Sequence, residues 1–255
     1  MTRRDLRIRT HTLFPVLFAF AIGLAPTADA QTTGQVHVEQ LGPDNYAAIS
    51  AGETNTATVR QSGSGNTAVI RTIGGTNNTA DLTQSGDNNE TEAIVDGDDN
   101  SWSVTQSGDG AANRAEFEQT GTANDLSIDQ DATGLASGLA NLAQVSQIGS
   151  GNSASVSQSA SAALGGIYAN TASVTQTGSG NSASVVQRGS GNVSEQLQEG
   201  DDNLSNIIQD GDDNSAVHHQ FGDGLDLGDV LGGVTIEQSG GANVVIKQYG
   251  PGHGG

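Results

Sequence analysis

The side chains in this sequence that could do chemistry are amides, carboxylates and one pair of adjacent histidines. Asparagine recurs at Asn170, Asn181, Asn192, Asn203 and Asn214, each eleven residues after the last. Glutamine follows six residues behind each, at Gln176, Gln187, Gln198, Gln209 and Gln220. A side-chain amide holds both donors and an acceptor, so it can bond to a copy of itself on a neighbouring chain segment. Such repeated amides act in self-recognition rather than in catalysis. The same pairing runs upstream through Asn55 and Gln61, Asn66, Gln84, Asn89, Asn100 and Gln106, Asn113 and Gln119, Asn124 and Gln130, Gln147, Asn152 and Gln158. With the five downstream pairs, these are the candidate ladder residues.

The carboxylates concentrate in tetrapeptides that precede an asparagine. Gly97–Asn100, Gly200–Asn203 and Gly211–Asn214 each read Gly-Asp-Asp-Asn. Asp98, Asp99, Asp201, Asp202, Asp212 and Asp213 are therefore candidate gatekeepers, charges that keep a β-rich chain soluble. On one edge the order Gly-Thr-Asn-Asn, Gly-Asp-Asp-Asn, Gly-Thr-Ala-Asn sets the acidic turn between neutral ones. Calcium-binding rolls use a Gly-Gly-x-Gly-x-Asp nonapeptide. The period here is eleven and that run is missing, so solvated turn charge is the better reading. His218 and His219 are adjacent, and neighbours in a strand face opposite ways, so the pair is a poor chelate. His253 lies in a Gly-rich tail. No Gly-x-Ser-x-Gly elbow occurs, and the Gly-rich turns lack a following helix or Lys that would make a phosphate loop. The expectation is no enzyme, no metal and no cofactor.

The elements that must position these side chains follow from the spacing. Alternation over the five residues after each Asn is a strand signal, and the Gly-rich tetrapeptide is a turn signal. Strand and turn repeated at fixed length mean a solenoid. Two eleven-residue units would close one rung of about 22 residues, giving two facing parallel sheets. Strand ends fall at Gln40, Ala51, Gln61, Thr72, Gln84, Val95, Gln106, Gln119 and Gln130. They continue at Gln147, Gln158, Gln176, Gln187, Gln198, Gln209, Gln220, Gln238 and Gln248. Eighteen strands make about nine rungs, a stack on the order of 43 Å at roughly 4.8 Å per rung. The fold class is an all-β solenoid of strand-turn-strand rungs.

Even offsets from each Asn point inward. They give Ala57 and Val59, Ala68 and Ile70, Ala80 and Leu82, Ala115 and Phe117, Ala154 and Val156, Ala172 and Val174, Ala183 and Val185. Trp102 takes a slot usually held by Ala and should fill space left by a neighbour. Gln196 and His218 take aliphatic slots. Unless paired, each would cost about 1–3 kcal/mol, which marks Asn192 to Gln220 as the softest stretch. Outward Val186, Leu197, Ile208 and Val217 interrupt a polar exterior there.

The chain has 255 residues, no Cys and a formal charge of −20. Arg3, Arg4, Arg7 and Arg9, the apolar run Leu13–Leu24 and the small-x-small site Ala28-Asp29-Ala30 read as a secretory signal peptide over 1–30. Its removal takes four of nine basic and two of 29 acidic residues, leaving five against 27 and a net −22. A short segment 31–35 leads into repeats over 36–250 and a tail over 251–255. Turns at 131–140, 159–169 and 221–233 carry insertions. The first two follow the ninth and eleventh strands, so they should share an edge and touch; the third should lie on the other edge. The apolar run is too short for a retained membrane helix. The acidic balance argues against nucleic acid and anionic membranes. No disulfide framework is possible without Cys. Composition alone would predict disorder, but here the apolar residues fall into lines.

The unit Gln-x-Gly-x-x-Asn-x-Ala-x-aliphatic-x-Gln, unbroken in Gln147–Gln158 and Gln176–Gln187, resembles the curlin repeat of bacterial curli subunits. The resemblance spans nearly the whole mature chain, with more rungs than the family's major subunits carry. It implies a subunit that polymerises with itself into an extracellular amyloid fibre of the biofilm matrix. It also implies a nucleating subunit and an outer-membrane secretion pore as partners. Curlins carry an export segment of Gly, Asn and Gln; only Gln31–Gln35 could serve here. Independently of the resemblance, Val36–Gln40 opens the strand series and Val244–Gln248 closes it with no capping helix. Unpaired ends of this kind template another copy. The rival expectation is a monomeric secreted solenoid that acts as an adhesin. An ice-like lattice is disfavoured because Thr56, Thr58, Thr83 and Thr105 form no regular rows.

Overall fold

The computed structural model describes residues 18–22, 27–32, 34–52, 54–72, 74–132, 138–160, 169–225 and 234–250. Arg3, Arg4, Arg7, Arg9, His253 and most of the inserted segments lie outside these. Among the described residues there are twenty strands and no helix. In chain order the first ten are β1 (Phe18–Ile22), β2 (Thr27–Thr32), β3 (Gln35–Leu41), β4 (Tyr46–Ala51), β5 (Thr56–Ser62), β6 (Thr67–Thr72), β7 (Thr79–Gly86), β8 (Glu90–Asp96), β9 (Ser101–Gly108) and β10 (Ala111–Thr122). The remainder are β11 (Asp125–Ala132), β12 (Gly138–Ser150), β13 (Ser153–Ala160), β14 (Asn170–Ser179), β15 (Ser182–Gly189), β16 (Asn192–Glu199), β17 (Leu204–Asp210), β18 (Ser215–Phe221), β19 (Val234–Ser239) and β20 (Asn243–Tyr249).

Odd strands form one ten-stranded sheet and even strands the other, each in sequence order. Every pairing is parallel. The chain changes sheet at every turn, so each strand bonds to the strand two places on. This is the two-sheet β-solenoid read from the sequence. Eighteen of its strands, β3 to β20, are those marked by the Gln series. The two additional strands come from the segment read as a leader and the two residues after it, and they pair with β3 and β4. Edge N–H and C=O groups accept any extended neighbour, whatever its side chains.

Alternating side chains decide which face is buried. Each inward Ala or aliphatic residue named above is 5% exposed or less, so the core is a narrow seam. Trp102 packs edge-on to Phe117, with centroids 4.9 Å apart. Its room comes from small neighbours: Ala80 precedes it in its own column, and Ala93 precedes Phe117 in the facing one. The main apolar cluster ends at Val185. A second begins at Ile207, with Ala216 and Ile236. Between them lie the buried polar residues Ser194, Gln196, Ser205 and His218.

Two backbone devices make the short turns possible. The third turn residue is left-handed, with φ near +60° at Asn88, Asp99, Ala123, Asp202 and Asp213. Asn and Asp tolerate that region better than other non-glycine residues. The first turn residue is a glycine because rungs meet there backbone to backbone. A Cβ on Gly121 would lie 2.0 Å from the Gly149 carbonyl oxygen. The stems of the first two insertions meet on one edge. Ala132, Ala140, Ala160 and Ala169 form a separate cluster with Ala111, and the Ala169 N–H donates to the Ala140 carbonyl at 2.7 Å. Phe221–Leu225, at the start of the third insertion, joins the opposite edge through Gly224 N–H to the Asp201 carbonyl, 2.7 Å.

Candidate functional site

All twenty-four candidate ladder amides are buried, at 2% exposure or less. A buried amide without partners costs about 1–3 kcal/mol per group, so their stability depends on how they pair. In the odd-numbered sheet the column runs Gln40, Gln61, Gln84, Gln106, Gln130, Gln158, Gln187, Gln209, Gln238. Each Nε2 donates to the Oε1 of the next glutamine at 2.5–2.9 Å. The same nitrogen also donates across the seam to a backbone carbonyl, as Gln130 does to Arg114 at 2.9 Å. One side chain thus ties rung to rung and sheet to sheet.

The even-numbered sheet carries a shorter column: Gln119, Gln147, Gln176, Gln198, Gln220 and Gln248. Ala51, Thr72 and Val95 precede it and cannot supply an amide donor. Gln119 Oε1 is accordingly buried without a partner.

The asparagines stack at the turns and donate the other way. Asn66 Nδ2 bonds back to Asn45 Oδ1, and Asn89, Asn113, Asn141, Asn170, Asn192 and Asn214 repeat this at 2.9–3.1 Å. On the other edge Asn55, Asn78, Asn100, Asn124, Asn152, Asn181 and Asn203 form a second column. There Asn124, Asn152 and Asn181 bond back through Nδ2, while Asn100 and Asn203 do so through the backbone N–H. Many also donate forward to the glycine carbonyl of the next turn, as Asn181 does to Gly200 at 2.8 Å. In the amide-to-amide bonds, glutamines donate toward the C-terminal end and asparagines toward the N-terminal end, so the stack has a built-in polarity.

Six members of these columns fell outside the candidate set: Gln40, Gln238, Gln248, Asn45, Asn78 and Asn141. The signal existed. Each of these asparagines lies six residues before a strand-end marker, at Ala51, Gln84 and Gln147.

The six acidic turn residues have two different roles in the geometry. Asp98 Oδ1 accepts from the Thr76 N–H at 2.7 Å. Asp201 accepts from Ser179 N–H and Asp212 from Ser190 N–H, both at 2.8 Å. Asp99, Asp202 and Asp213 hold the left-handed position. The turn 97–100 does lie between the neutral turns 75–78 and 121–124. The turn 200–203 does not escape its own kind, because Asp223 on the next rung accepts the Asp201 N–H at 3.0 Å. The bond to the backbone outweighs the like-charge contact at this exposed edge, where water screens it.

His218 is paired at both ring nitrogens and Gln196 through its Nε2, but Gln196 Oε1 and Asn203 Nδ2 are buried without a partner, so the cost expected at Asn192–Gln220 is lifted only in part. Gln196 Nε2 donates to Ser184 O at 3.0 Å and to Ser205 Oγ at 2.9 Å. His218 bonds Ser205 Oγ at 2.6 Å through Nδ1 and Gln248 Oε1 at 2.9 Å through Nε2. Burial lowers the proton affinity of His218 below its ordinary value. His219 faces outward, 3.0 Å from Glu195.

The solenoid's C-terminal end differs from its middle. Val244, Ile246 and Gln248 of β20 face inward yet are only half-buried. Val245 and Tyr249 are exposed, and Tyr249 stacks on Phe221. Comparison with curated proteins and with solved structures gave no match. Residues 75–108 and 169–195 match the family model of the curlin associated repeat, and both stretches carry ladder amides. With in-register amides and paired parallel sheets running through both matched stretches, the chain carries curlin associated repeats at two places, which supports a curlin-type protein.

Proposed function

We propose that this protein is the structural subunit of an extracellular curli-like amyloid fibre, self-assembling through open solenoid ends. The observation that carries the reading is the terminal rung. Inward Val244, Ile246 and Gln248 stay half-exposed, and β19 and β20 each lack a following strand among the described residues. Unsatisfied strand edges with an exposed apolar and amide line recruit more strand. β3 carries Val38 and Gln40 in the columns that end with Ile236 and Gln238. A second copy therefore continues them. Cleavage after Ala30 removes β1 whole and four of the six residues of β2, which opens β3 and β4 for that contact.

In this reading the protein leaves the cell by way of the periplasm and an outer-membrane pore. It meets a nucleating subunit and serves biofilm matrix, adhesion and aggregation. The test is to incubate purified Gln31–Gly255 and image it over time. Thioflavin-positive fibres with a meridional repeat of about 4.7–4.8 Å are expected. A monomer that persists at high concentration would overturn the proposal and favour a solitary surface-binding module.

A further inference from the structure

We infer that the last rung is gated by a proton: His218 ties β18 to β20 only as a neutral imidazole, so mild acid releases the C-terminal strands. His218 is fully buried, in a column whose register neighbours are Gln196 and Ile246. The hydrogen-bond roles around it are fixed by their neighbours. Gln248 Oε1 receives Gln220 Nε2 at 3.0 Å in the sense of the ladder, so the atom 2.9 Å from His218 Nε2 is an acceptor. Nε2 must then carry hydrogen, and in a neutral ring Nδ1 is bare. Ser205 Oγ, 2.6 Å away, gives its hydrogen to Nδ1. The same Oγ accepts from Gln196 Nε2 at 2.9 Å. The relay Gln196, Ser205, His218, Gln248 uses every donor once.

Protonation breaks that relay. Nδ1 becomes a donor aimed at an oxygen that already accepts from Gln196, and the Ser205 hydrogen loses its acceptor. Among the described residues no compensating charge lies inside. Inward positions of β15 to β20 hold Ala183, Val185, Ser194, Ile207, Ala216 and amides, none of them ionisable apart from His218. The charged groups of these strands face outward: Arg188, Glu195, Glu199, Asp210, His219, Glu237 and Lys247. Desolvation is the main cause that lowers the His218 pKa; the Gln248 bond opposes it, and nearby His219 adds a further lowering.

The sign follows. A released His218 titrates near 6.5, and the buried one titrates lower. Above about pH 6.5 both are neutral and the rung stays closed. As pH falls below that value the open form takes a proton the closed form refuses. The open-to-closed ratio then climbs by about tenfold per pH unit until the buried pKa is reached. The consequence for fibre growth rests on the proposed function, in which this rung is a growth surface; the gate itself does not.

Hydrogen exchange on the full chain tests it, with rates corrected for the intrinsic pH dependence of amide exchange. Opening of 215–221 and 243–249 is compared with that of 67–72 and 90–96 at pH 7.5 and pH 5. For the wild type the C-terminal segments should open more at pH 5 relative to the reference strands, by up to about thirtyfold at 1.5 pH units below the released value. His218→Gln should abolish the difference, and His219→Asn should keep it. If His218→Gln fails to close the rung at pH 7.5, His218→Ile, which matches Ile246 in the column, takes its place. A wild type without the difference, or a His218 variant that retains it, overturns the gate. Seeded elongation at the two pH values is read separately. Intact gating without fibres would count against the fibre reading alone.

Discussion

The Gln columns predict an asymmetry that sequence repetition alone would not suggest. Gln119 and Gln147 are equally buried and occupy equivalent slots. Replacing either by Leu keeps volume nearly constant but leaves different groups stranded. Gln119 heads its column, and its Oε1 already lacks a donor. In Gln119→Leu that orphan vanishes and Gln147 Oε1 takes its place, so the number of stranded oxygens is unchanged. Gln147→Leu keeps the Gln119 orphan and adds Gln176 Oε1, which loses its 3.0 Å donor. It also leaves Gln119 Nε2 with one acceptor, Ser101 O. One extra stranded oxygen at about 1–3 kcal/mol, with one N–H partner lost besides, should make Gln147→Leu the more damaging by at least about 1 kcal/mol. Each variant also frees one facing carbonyl, which cancels in the comparison. Guanidinium unfolding of freshly isolated monomer, followed by fluorescence of Trp102, the only tryptophan, gives the two midpoints. Equal midpoints, or a lower one for Gln119→Leu, would refute the ladder accounting.

Three other outcomes follow from the same geometry. Changing Asp98, Asp99, Asp201, Asp202, Asp212 and Asp213 to Asn preserves an acceptor oxygen and tolerance of positive φ while removing six charges. Thioflavin kinetics should show a shorter lag, and an unchanged lag would dismiss the gatekeeper role. Gly121→Ala puts a Cβ 2.0 Å from a backbone oxygen at φ +113° and should cost at least about 2–3 kcal/mol. Gly224→Ala meets nothing within 4 Å and should cost only about 1–2 kcal/mol; thermal midpoints separate the two. Trp102→Ala empties the space against Phe117 and should lose about 3–5 kcal/mol, seen as a drop in the same midpoint.

Much of the molecule was legible because strand geometry has a period of two and the repeat has a fixed length. Those two facts place Ala172 and Val174 inward, stack Gln130 on Gln158, and set the first two insertions on one edge. Legibility failed where the unit was incomplete. Asn45 precedes the atypical marker Ala51, and Asn78 and Asn141 follow longer intervals, so eleven-residue counting passed over them. It failed again where two strands share one site. His218 and Ser205 are thirteen residues apart on facing sheets, and only the packing of those sheets gives His218 its Ser205 partner.

Residue order by itself determined which side chains are buried and which columns they join, since parity and period are properties of the chain. Only the tertiary structure decided who donates to whom. Amide direction, the orphan at Gln119, the Asp201–Asp223 contact and the relay through His218 depend on which neighbour stands on the next rung. Hydrogen bonds depend on that neighbour's atoms within about 3 Å, a distance that repetition along the chain does not encode.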